Sequence, residues 1–524
     1  MPMEHPMSWW EHEKLLNGGP YATSADHLIV YQRESIPIVF VPGIMGSRLK
    51  RRNFKVWDPN STGFMANYLF ATPAQRKALL DEKGLEVDTD TSKAFQSTVF
   101  DDAMYQEYSG TEKLMGFGLL SPSRQQEILN VADDCAKAAA AQGWGGVAWD
   151  FYGGILNFLS RPDLWSPFGK CFVFPVYAVG YNWVQDNLKS GDDLAKRFDV
   201  IMNLEKDKGL ICEKIILVSH SMGGMVTRSA VKLHGGEGKV LGVIHGAQPV
   251  TGAPDAYKSM RAGSGSSWNP KAKVLGAGSR DVVPVLGNSV GAMELLPTTK
   301  YVNANWLSMT KDDALLSSKP KGDPYSSTYH YNSEDFLRLI YHPEYLDPGA
   351  TDPDLQDAST RNRLVKVLVE FMTKVEAARS FHQQLQLQCH PVTYSSWVGD
   401  KGLSTMDKIE YRFLQPHFDV PWSAPDPNPV EGSGIDLWEN KSKPSENGYY
   451  VMQSANGKGD GTVPTSSGAG LSAKSNGIGG KLNRLEITEG LEHTQFYNNG
   501  DVQKFTLNCI KELAQKHFKD RMGG

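Results

Sequence analysis

Two short apolar runs with one helix-length stretch between them constrain the fold of this chain most strongly. The runs are Lys214–Val218 and Val240–Ile244, and Gly224–Leu233 separates them. Strands buried on both faces of a parallel sheet have this nearly continuous apolar character, whereas half-exposed strands alternate. A strand, a helix and a second strand in this order predict a β-α-β unit. We therefore expect an α/β protein with a mostly parallel sheet and helices on both faces.

Further elements of the same kind flank this unit. The predicted strands are Ile36–Val41, Phe172–Ala178, Val392–Tyr394 and Leu482–Ile487. The predicted helices are Ile128–Gln142, Asp192–Leu204, Leu364–Ala378 and Val502–His517. The organisation that follows is a loose N-terminal extension over 1–35, an α/β core over 36–250 and 364–524, and a cap or lid insertion over 251–363. Polar stretches predict further insertions over 51–125 and 400–450, and aromatic residues concentrate over 144–170.

Composition narrows the classes of function. Of 524 residues, 40% are hydrophobic and 22% charged, which is ordinary for a globular protein and excludes disorder for most of the chain. The net charge of -5 argues against a nucleic-acid partner, because such proteins present a basic surface. No stretch approaches the roughly 18 apolar residues of a membrane-spanning helix, and the first residues lack the apolar segment of a signal peptide. We therefore expect synthesis in the cytoplasm without a signal peptide. Five scattered cysteines predict neither a disulfide framework nor a zinc ribbon.

The turn between the first apolar run and its helix carries the clearest chemical signal. It has the sequence Ser-His-Ser-Met-Gly-Gly over 219–224, which in this context is typical of a nucleophile elbow with Ser221 as nucleophile. The tight turn needs small residues two positions before and after the nucleophile. Gly223 meets this need, and Ser219 stands where glycine is usual. A strand-to-helix turn without chemistry is the alternative interpretation.

A nucleophilic serine needs a general base and an acid that orients the base. In α/β-hydrolases the acid and then the histidine follow the serine along the chain, which favours His493 in the loop after the last predicted strand. His517 is the other late histidine, and we expect it to be solvated on the closing helix. Asp460 lies between two glycines and is the first candidate acid, with Asp501 as the alternative.

Backbone amides of two turns are the candidate oxyanion donors. Pro42–Ser47 follows the first core strand, and its two glycines allow the backbone to turn sharply beside the nucleophile. We assign the donors to the amides of Ile44 and Met222, the second of which lies at the start of the elbow helix. His220 is expected to be structural, with its side chain directed away from Ser221.

Several short motifs, in this order, resemble those of the lecithin:cholesterol acyltransferase-like lipases and acyltransferases of the α/β-hydrolase superfamily. They are Val41–Ser47 with Val56–Trp57, Gly180–Trp183, Ser219–Gly224, Glu294–Pro297, Gly459–Pro464 and Glu492–His493. The resemblance implies an α/β-hydrolase fold with large cap insertions, lipid acyl esters as substrates, a triad of Ser221, Asp460 and His493, and neither cofactor nor metal.

The chain departs from the family pattern in three places. Ser219 replaces glycine, Asn182 stands where the family usually has aspartate, and the close cysteine pair that tethers a lid in secreted animal members is absent. The chain is also similar in overall character to bacterial lipase toxins delivered by type VI secretion, which lack signal peptides and act on membrane phospholipids. That likeness implies non-classical export to a membrane interface and leaves open an immunity or inhibitor protein as a partner.

Two further features have competing interpretations. Trp149, Phe151 and Tyr152 belong to the aromatic segment and are candidates for a lid that meets the membrane interface, with core packing as the alternative. An acidic group could bind calcium, but its spacing misses the EF-hand pattern and a solvated loop is the preferred interpretation. That group consists of Asp347, Asp352, Asp354 and Asp357.

The sequence thus predicts a serine-dependent hydrolase of lipid acyl esters, most simply a phospholipase or lipase. An acyltransferase that uses the same triad with an alcohol acceptor is one alternative. A catalytically silent α/β-hydrolase that serves as a binding module is the other, and it belongs to a different functional class.

Overall fold

The computed structural model describes residues 7–11, 31–89, 120–264, 276–349, 360–415, 435–438, 443–453, 457–472, 483–487 and 490–523. The strands are β1 (Met7–Ser8), β2 (Tyr31–Gln32), β3 (Glu34–Ser35), β4 (Ile38–Val41), β5 (Leu49–Arg51), β6 (Phe54–Trp57), β7 (Leu85–Val87), β8 (Phe172–Val173), β9 (Val176–Ala178), β10 (Ile215–His220), β11 (Val240–Gly246), β12 (Leu307–Lys311), β13 (Ala314–Lys319), β14 (Thr393–Val398), β15 (Leu403–Thr405), β16 (Ile409–Gln415), β17 (Ile435–Trp438), β18 (Gly448–Met452), β19 (Gly457–Gly459) and β20 (Asn483–Ile487). The α-helices are α1 (Thr62–Phe70), α2 (Pro73–Leu79), α3 (Pro122–Ala141), α4 (Trp149–Ser160), α5 (Asn187–Asp207), α6 (Gly223–Lys232), α7 (Pro254–Ala262), α8 (Ser279–Leu286), α9 (Val290–Met293), α10 (Pro324–Ser327), α11 (Thr360–Leu385), α12 (Thr465–Gly468) and α13 (Gly500–Met522).

A six-stranded sheet forms the centre of the molecule, in the order β20-β14-β11-β10-β4-β9. Every neighbouring pair in it is parallel. The predicted β-α-β unit is present as β10, α6 and β11. The predicted strand over 172–178 is divided into β8 and β9 on either side of Pro175, which has no amide hydrogen for a continuous ladder.

The two faces of this sheet are covered by different helices because successive side chains of a strand point in opposite directions. Val39 and Leu217 belong to one hydrophobic cluster, which Phe198 of α5 and Val226 of α6 also join. Phe40 belongs to the cluster on the other face. The helical members of that second cluster include Ile155 and Leu156 of α4 and Ile510 and Leu513 of α13.

A second sheet combines the two predicted insertions over 251–363 and 400–450. Its order is β13-β12-β16-β18-β17, and β12 pairs with β16 in parallel, with Leu307 opposite Ile409. The residues predicted as an insertion over 400–450 thus contribute β16, and at their end β18, to a sheet begun by the earlier insertion. At the start of the predicted insertion over 51–125, β5, β6 and β7 form a small sheet beside α1 and α2.

The N-terminal segment packs against the closing helix. Trp9 is fully buried and stacks on Phe518 of α13, with ring centroids 5.0 Å apart. The buried Glu34 carboxylate accepts hydrogen bonds from His517 Nε2 and Arg521 Nη2, both at 2.8 Å. Burial alone would raise the pKa of Glu34, but the hydrogen bonds from His517 and Arg521 outweigh it and lower this pKa. The prediction of a loose extension is wrong for the described residues 7–11 and 31–35, and the prediction of a solvated His517 is wrong.

Other expectations concern cysteines, metals and membranes. All five cysteines are free thiols. Among the described residues, no helix is long and apolar enough to cross a membrane, and no three potential metal ligands cluster. Asp347 is buried, with Lys77 Nζ 2.7 Å from its carboxylate, so the solvated-loop interpretation is wrong for this residue. The other three members of the acidic group, Asp352, Asp354 and Asp357, lie outside the described residues.

Candidate active site

Ser221 occupies the sharp turn between β10 and α6. Its φ of 52° is in the left-handed region, where a residue with a side chain is strained. The turn is closed so tightly that a Cβ on Gly223 would lie 2.2 Å from the carbonyl oxygen of Pro42. A glycine at 223 is therefore a requirement of the turn. Ser221 itself is only 4% exposed.

The serine that replaces glycine at 219 has a partner on the neighbouring strand. Ser219 Oγ lies 2.7 Å from Nδ1 of His245, its register partner in β11, and both residues are fully buried. Burial lowers the pKa of His245 to about 3, so this imidazole is neutral. The hydroxyl that departs from the usual pattern is thus hydrogen-bonded inside the sheet.

His493 lies within hydrogen-bond distance of both other predicted residues. It begins the short 3-10 helix His493–Asn498, beyond the end of β20. Its Nε2 lies 2.8 Å from Ser221 Oγ, and its Nδ1 lies 2.6 Å from Asp460 Oδ2. The side chain is 91% removed from solvent, with an exposed fraction of 9%.

The Asp460 carboxylate is oriented by the turn that carries it. Asp460 follows β19, and its Oδ1 accepts hydrogen bonds from the amides of Thr462 at 3.0 Å and Val463 at 2.7 Å. Its own carbonyl accepts from the His493 amide at 3.0 Å. These contacts leave Oδ2 directed at His493. The alternative acid Asp501 lies instead on the surface, with a side chain 77% exposed and Lys504 3.9 Å away.

The two amides predicted as oxyanion donors are available. Gly43, just before Ile44, is in contact with the nucleophile, because a Cβ built on it would lie 2.9 Å from Ser221 Cβ. Within the described part of the chain, neither the Ile44 amide nor the Met222 amide donates a hydrogen bond to another residue. Met222 precedes the first turn of α6, where the helix dipole favours negative charge.

The aromatic residues proposed for a lid belong to α4, a helix of the core. Tyr152 is 2% exposed, and its hydroxyl contacts the backbone amide of Gly43 and the ring of His220. The lid interpretation is therefore wrong for Tyr152. Trp149 and Phe151 are half-buried on the same helix and pack against the core cluster, and Trp149 also stacks on Trp144. Core packing, the alternative interpretation, describes this helix.

Sequence reasoning missed the contacts made by Tyr152 and His220. The His220 ring lies beside that of His493, with centroids 4.8 Å apart, and its Nε2 lies 3.0 Å from the carbonyl oxygen of His493. These contacts join residues 68 and 273 positions apart along the chain. No local pattern in the sequence signals pairs of that separation.

Glu294 is a buried acid outside this group, and it contacts the start of α5. Glu294 belongs to one of the motifs that carry the family resemblance, and its Oε2 accepts from the Asn187 amide at 3.1 Å. Burial, and after it the nearby Asp186 carboxyl, raises the pKa of Glu294 well above its usual range. Its environment therefore favours the neutral form of the carboxyl over the charged form.

Comparison with known proteins identifies the fold. No protein-family model matches the chain, and no curated protein does. A chain of the crystal structure of the Tle4–Tli4 complex superposes with a TM-score of 0.68 at 24% identity, covering 92% of this chain and 99% of that one. The chain has the α/β-hydrolase fold. The predicted fold class is thereby confirmed. Phospholipase PlaB from Legionella pneumophila also matches, at 12% identity over 58% of this chain and 77% of its own, but a TM-score of 0.18 supports no argument.

Proposed function

We propose that this protein is a serine hydrolase that cleaves acyl esters of lipids. The observation that carries the proposal is the pair of short contacts of His493, whose Nε2 lies 2.8 Å from Ser221 Oγ and whose Nδ1 lies 2.6 Å from Asp460 Oδ2. A hydroxyl, an imidazole and a buried carboxylate in this order form the arrangement that activates serine as a nucleophile. Two amides beside the hydroxyl, at Ile44 and Met222, have no other described partner and can accept the developing charge.

The mechanism follows from these positions. Ser221 Oγ attacks the ester carbonyl carbon while its proton passes to Nε2 of His493, and Asp460 stabilises the imidazolium that forms. The tetrahedral oxyanion receives hydrogen bonds from the two amides. Collapse of this intermediate breaks the bond to the alcohol, which takes the proton from His493, and leaves an acyl-enzyme. Water then repeats the sequence, releasing the fatty acid and restoring Ser221.

Two resemblances support the proposed lipid substrate and the proposed protein partner. The order of motifs from Val41–Ser47 to Glu492–His493 resembles acyltransferase-like lipases. The fold and nearly the full length match a chain of the Tle4–Tli4 complex, a protein that binds another protein. We accordingly propose membrane phospholipids as substrates, an inhibitor or immunity protein as a partner, and export by a type VI-like route.

Active-site labelling tests the catalytic proposal. A fluorophosphonate probe should label the wild type and not Ser221→Ala, and His493→Ala should label far more slowly because no base accepts the serine proton. A wild type that is not labelled, although folded by circular dichroism, would indicate the silent binding module instead.

Product analysis tests the substrate and separates hydrolase from acyltransferase. Purified protein is incubated with phosphatidylethanolamine–phosphatidylglycerol vesicles and, separately, with a triacylglycerol emulsion. Free fatty acid released from the vesicles, unchanged in yield when a long-chain alcohol is added, supports a phospholipase. Fatty acyl ester formed in proportion to the alcohol would support an acyltransferase, and release from the emulsion alone would reject phospholipids as the substrate.

A further inference from the structure

A buried chain of hydrogen bonds connects the loop beside the nucleophile to the loop that carries the base. The Gly43 amide donates to the Tyr152 hydroxyl at 2.9 Å, and this hydroxyl lies 3.0 Å from His220 Nδ1. His220 Nε2 lies 3.0 Å from the carbonyl oxygen of His493. Tyr152 is 2% exposed and His220 3% exposed, so the bonds form away from competing water.

The donors and acceptors of this chain of hydrogen bonds fit together in one arrangement. A carbonyl oxygen only accepts, so the bond to His493 requires a proton on His220 Nε2. An amide only donates, so Tyr152 accepts from Gly43, and its own hydrogen finds an acceptor at His220 Nδ1 when that nitrogen is unprotonated. Burial raises the pKa of the Tyr152 phenol, which keeps that hydrogen in place. In this arrangement the hydrogen bonds run in one direction, from the Gly43 amide to the His493 carbonyl oxygen.

Each end of the chain holds one part of the proposed catalytic apparatus. At one end, the Gly43 amide donates a hydrogen bond to the Tyr152 hydroxyl. The next amide along the loop, that of Ile44, has no described partner. The fit is close, because a Cβ on Gly46 would lie 2.7 Å from the same hydroxyl. At the other end, His493 is held by its carbonyl oxygen through His220 and by its amide through Asp460.

We infer that Tyr152 and His220 are positioning residues that keep the Ile44 amide and the His493 imidazole at their correct separation. This inference rests on the proposed function. The His220 ring also packs beside the His493 ring, with centroids 4.8 Å apart, and Tyr152 acts through the Gly43 amide and through His220. Their effect is that the oxyanion donor and the base, which lie on loops far apart in sequence, are held by one rigid connection. Misplacement of either by a fraction of an ångström weakens transition-state stabilisation more than substrate binding.

Tyr152→Phe tests the inference because it removes one hydroxyl and leaves the ring that fills the core. With a soluble p-nitrophenyl ester, we expect kcat to fall about 10- to 100-fold with KM within about threefold, since the loss is of transition-state positioning. The affinity for an acyl trifluoromethyl ketone should fall in proportion to kcat, because its adduct with Ser221 places an oxyanion at the Ile44 and Met222 amides.

Tyr257→Phe is the matched control. Tyr257 is equally buried, and its hydroxyl donates to the backbone carbonyl of Leu337 at 3.0 Å, outside these hydrogen bonds. It should lower the melting temperature about as much as Tyr152→Phe while kcat stays within about threefold of the wild type. Rates are normalised to the fraction of sites that a fluorophosphonate titrates, so partial unfolding is removed from the comparison.

A double variant tests whether the chain of hydrogen bonds from Gly43 to His493 acts as a unit. His220→Phe breaks the bonds to Tyr152 and to the His493 carbonyl, so adding Tyr152→Phe should reduce normalised kcat by no more than about threefold further. Multiplicative losses would overturn the inference, as would a Tyr152→Phe enzyme that matches Tyr257→Phe in kcat and ketone affinity. If the wild type neither titrates nor turns over ester, the proposed function has failed and the inference fails with it. A fully active wild type beside an unaffected Tyr152→Phe rejects the inference alone.

Discussion

Replacing Asp460 by asparagine is the most informative single change, because the structure determines how the new amide must lie. Oδ1 of Asp460 accepts from the amides of Thr462 and Val463, and Oδ2 faces His493 Nδ1 at 2.6 Å. Asparagine has one acceptor oxygen and one donor NH2 group. If its oxygen keeps the two backbone bonds, the NH2 group faces Nδ1, which must then accept. The proton moves to Nε2, and His493 can no longer remove the proton of Ser221.

The size of the effect follows from the cost of the opposite orientation. Turning the amide would restore the active tautomer but would leave the Thr462 and Val463 amides facing a donor. Each buried hydrogen bond lost costs about 1 to 3 kcal/mol, so the turned form is disfavoured by at least about 2 kcal/mol, or about 30-fold. The loss of carboxylate charge opposite the imidazolium adds to this, and the sum should approach a fall of about 10⁴ in kcat, or about 5 kcal/mol.

The assay is steady-state hydrolysis of a p-nitrophenyl ester by Asp460→Asn, with Asp501→Asn as the matched control. Asp501 is 77% exposed, so its variant should keep kcat within about twofold of the wild type. Thermal melts of both variants establish that they are folded. A fall of less than about 30-fold in a folded Asp460→Asn would refute the reasoning about amide orientation. A large loss in Asp501→Asn would show that the wrong acid has been chosen.

Three further changes test the packing and the buried charges. Gly223→Ala brings a methyl group within 2.2 Å of the Pro42 carbonyl, so labelling by fluorophosphonate should be lost, whereas Gly238→Ala, which meets no atom within 4 Å, should label normally. The raised pKa of Glu294 means that the folded state retains a proton that the unfolded state has lost above about pH 4.5, so stability falls as pH rises beyond that value. Glu294→Gln should therefore melt at a higher temperature than the wild type at pH 8 and lose that advantage near pH 4, and an equal difference at both values would contradict this. The pKa of Glu34 is lowered, so its stabilisation is present above about pH 4.5 and is lost as pH falls through the folded-state pKa. In Glu34→Gln the melting temperature should be lower at pH 7 and should converge on that of the wild type in acid.

The parts of the fold that could be predicted are those with a local signal. Runs such as Val240–Ile244 and the amphipathic spacing of apolar residues over Leu364–Ala378 mark strands and helices directly. The second sheet has no such signal, because β12 and β16 are about one hundred positions apart and each is only a short strand with mixed side chains. The docking of Trp9 on Phe518 was missed for the same reason.

The residues of the candidate site also divide into those that have a signal in the sequence and those that have none. Ser221 could be predicted because the elbow is one continuous motif, and Asp460 and His493 because chain order restricts the choice of acid and base. Aromatic density indicates an interface as readily as a core, so the sequence leaves Tyr152 a candidate for a lid or for core packing. Which of the two applies depends on the burial of α4 between the sheet and the 3-10 helix of His493, a property of the folded chain and not of the segment.

The bonds between Glu34 and the closing helix have a consequence for synthesis. Glu34 and Arg521 are 487 positions apart, and His493 is 272 positions from Ser221. A ribosome adds about 5 to 20 residues each second, so the first core strand waits for tens of seconds before the helix that packs on one of its faces has been made. During translation the nascent polypeptide contains the hydroxyl before it contains the imidazole or the final packing. Hydrolytic competence should therefore arise late, after the segment that carries His493 has left the exit tunnel.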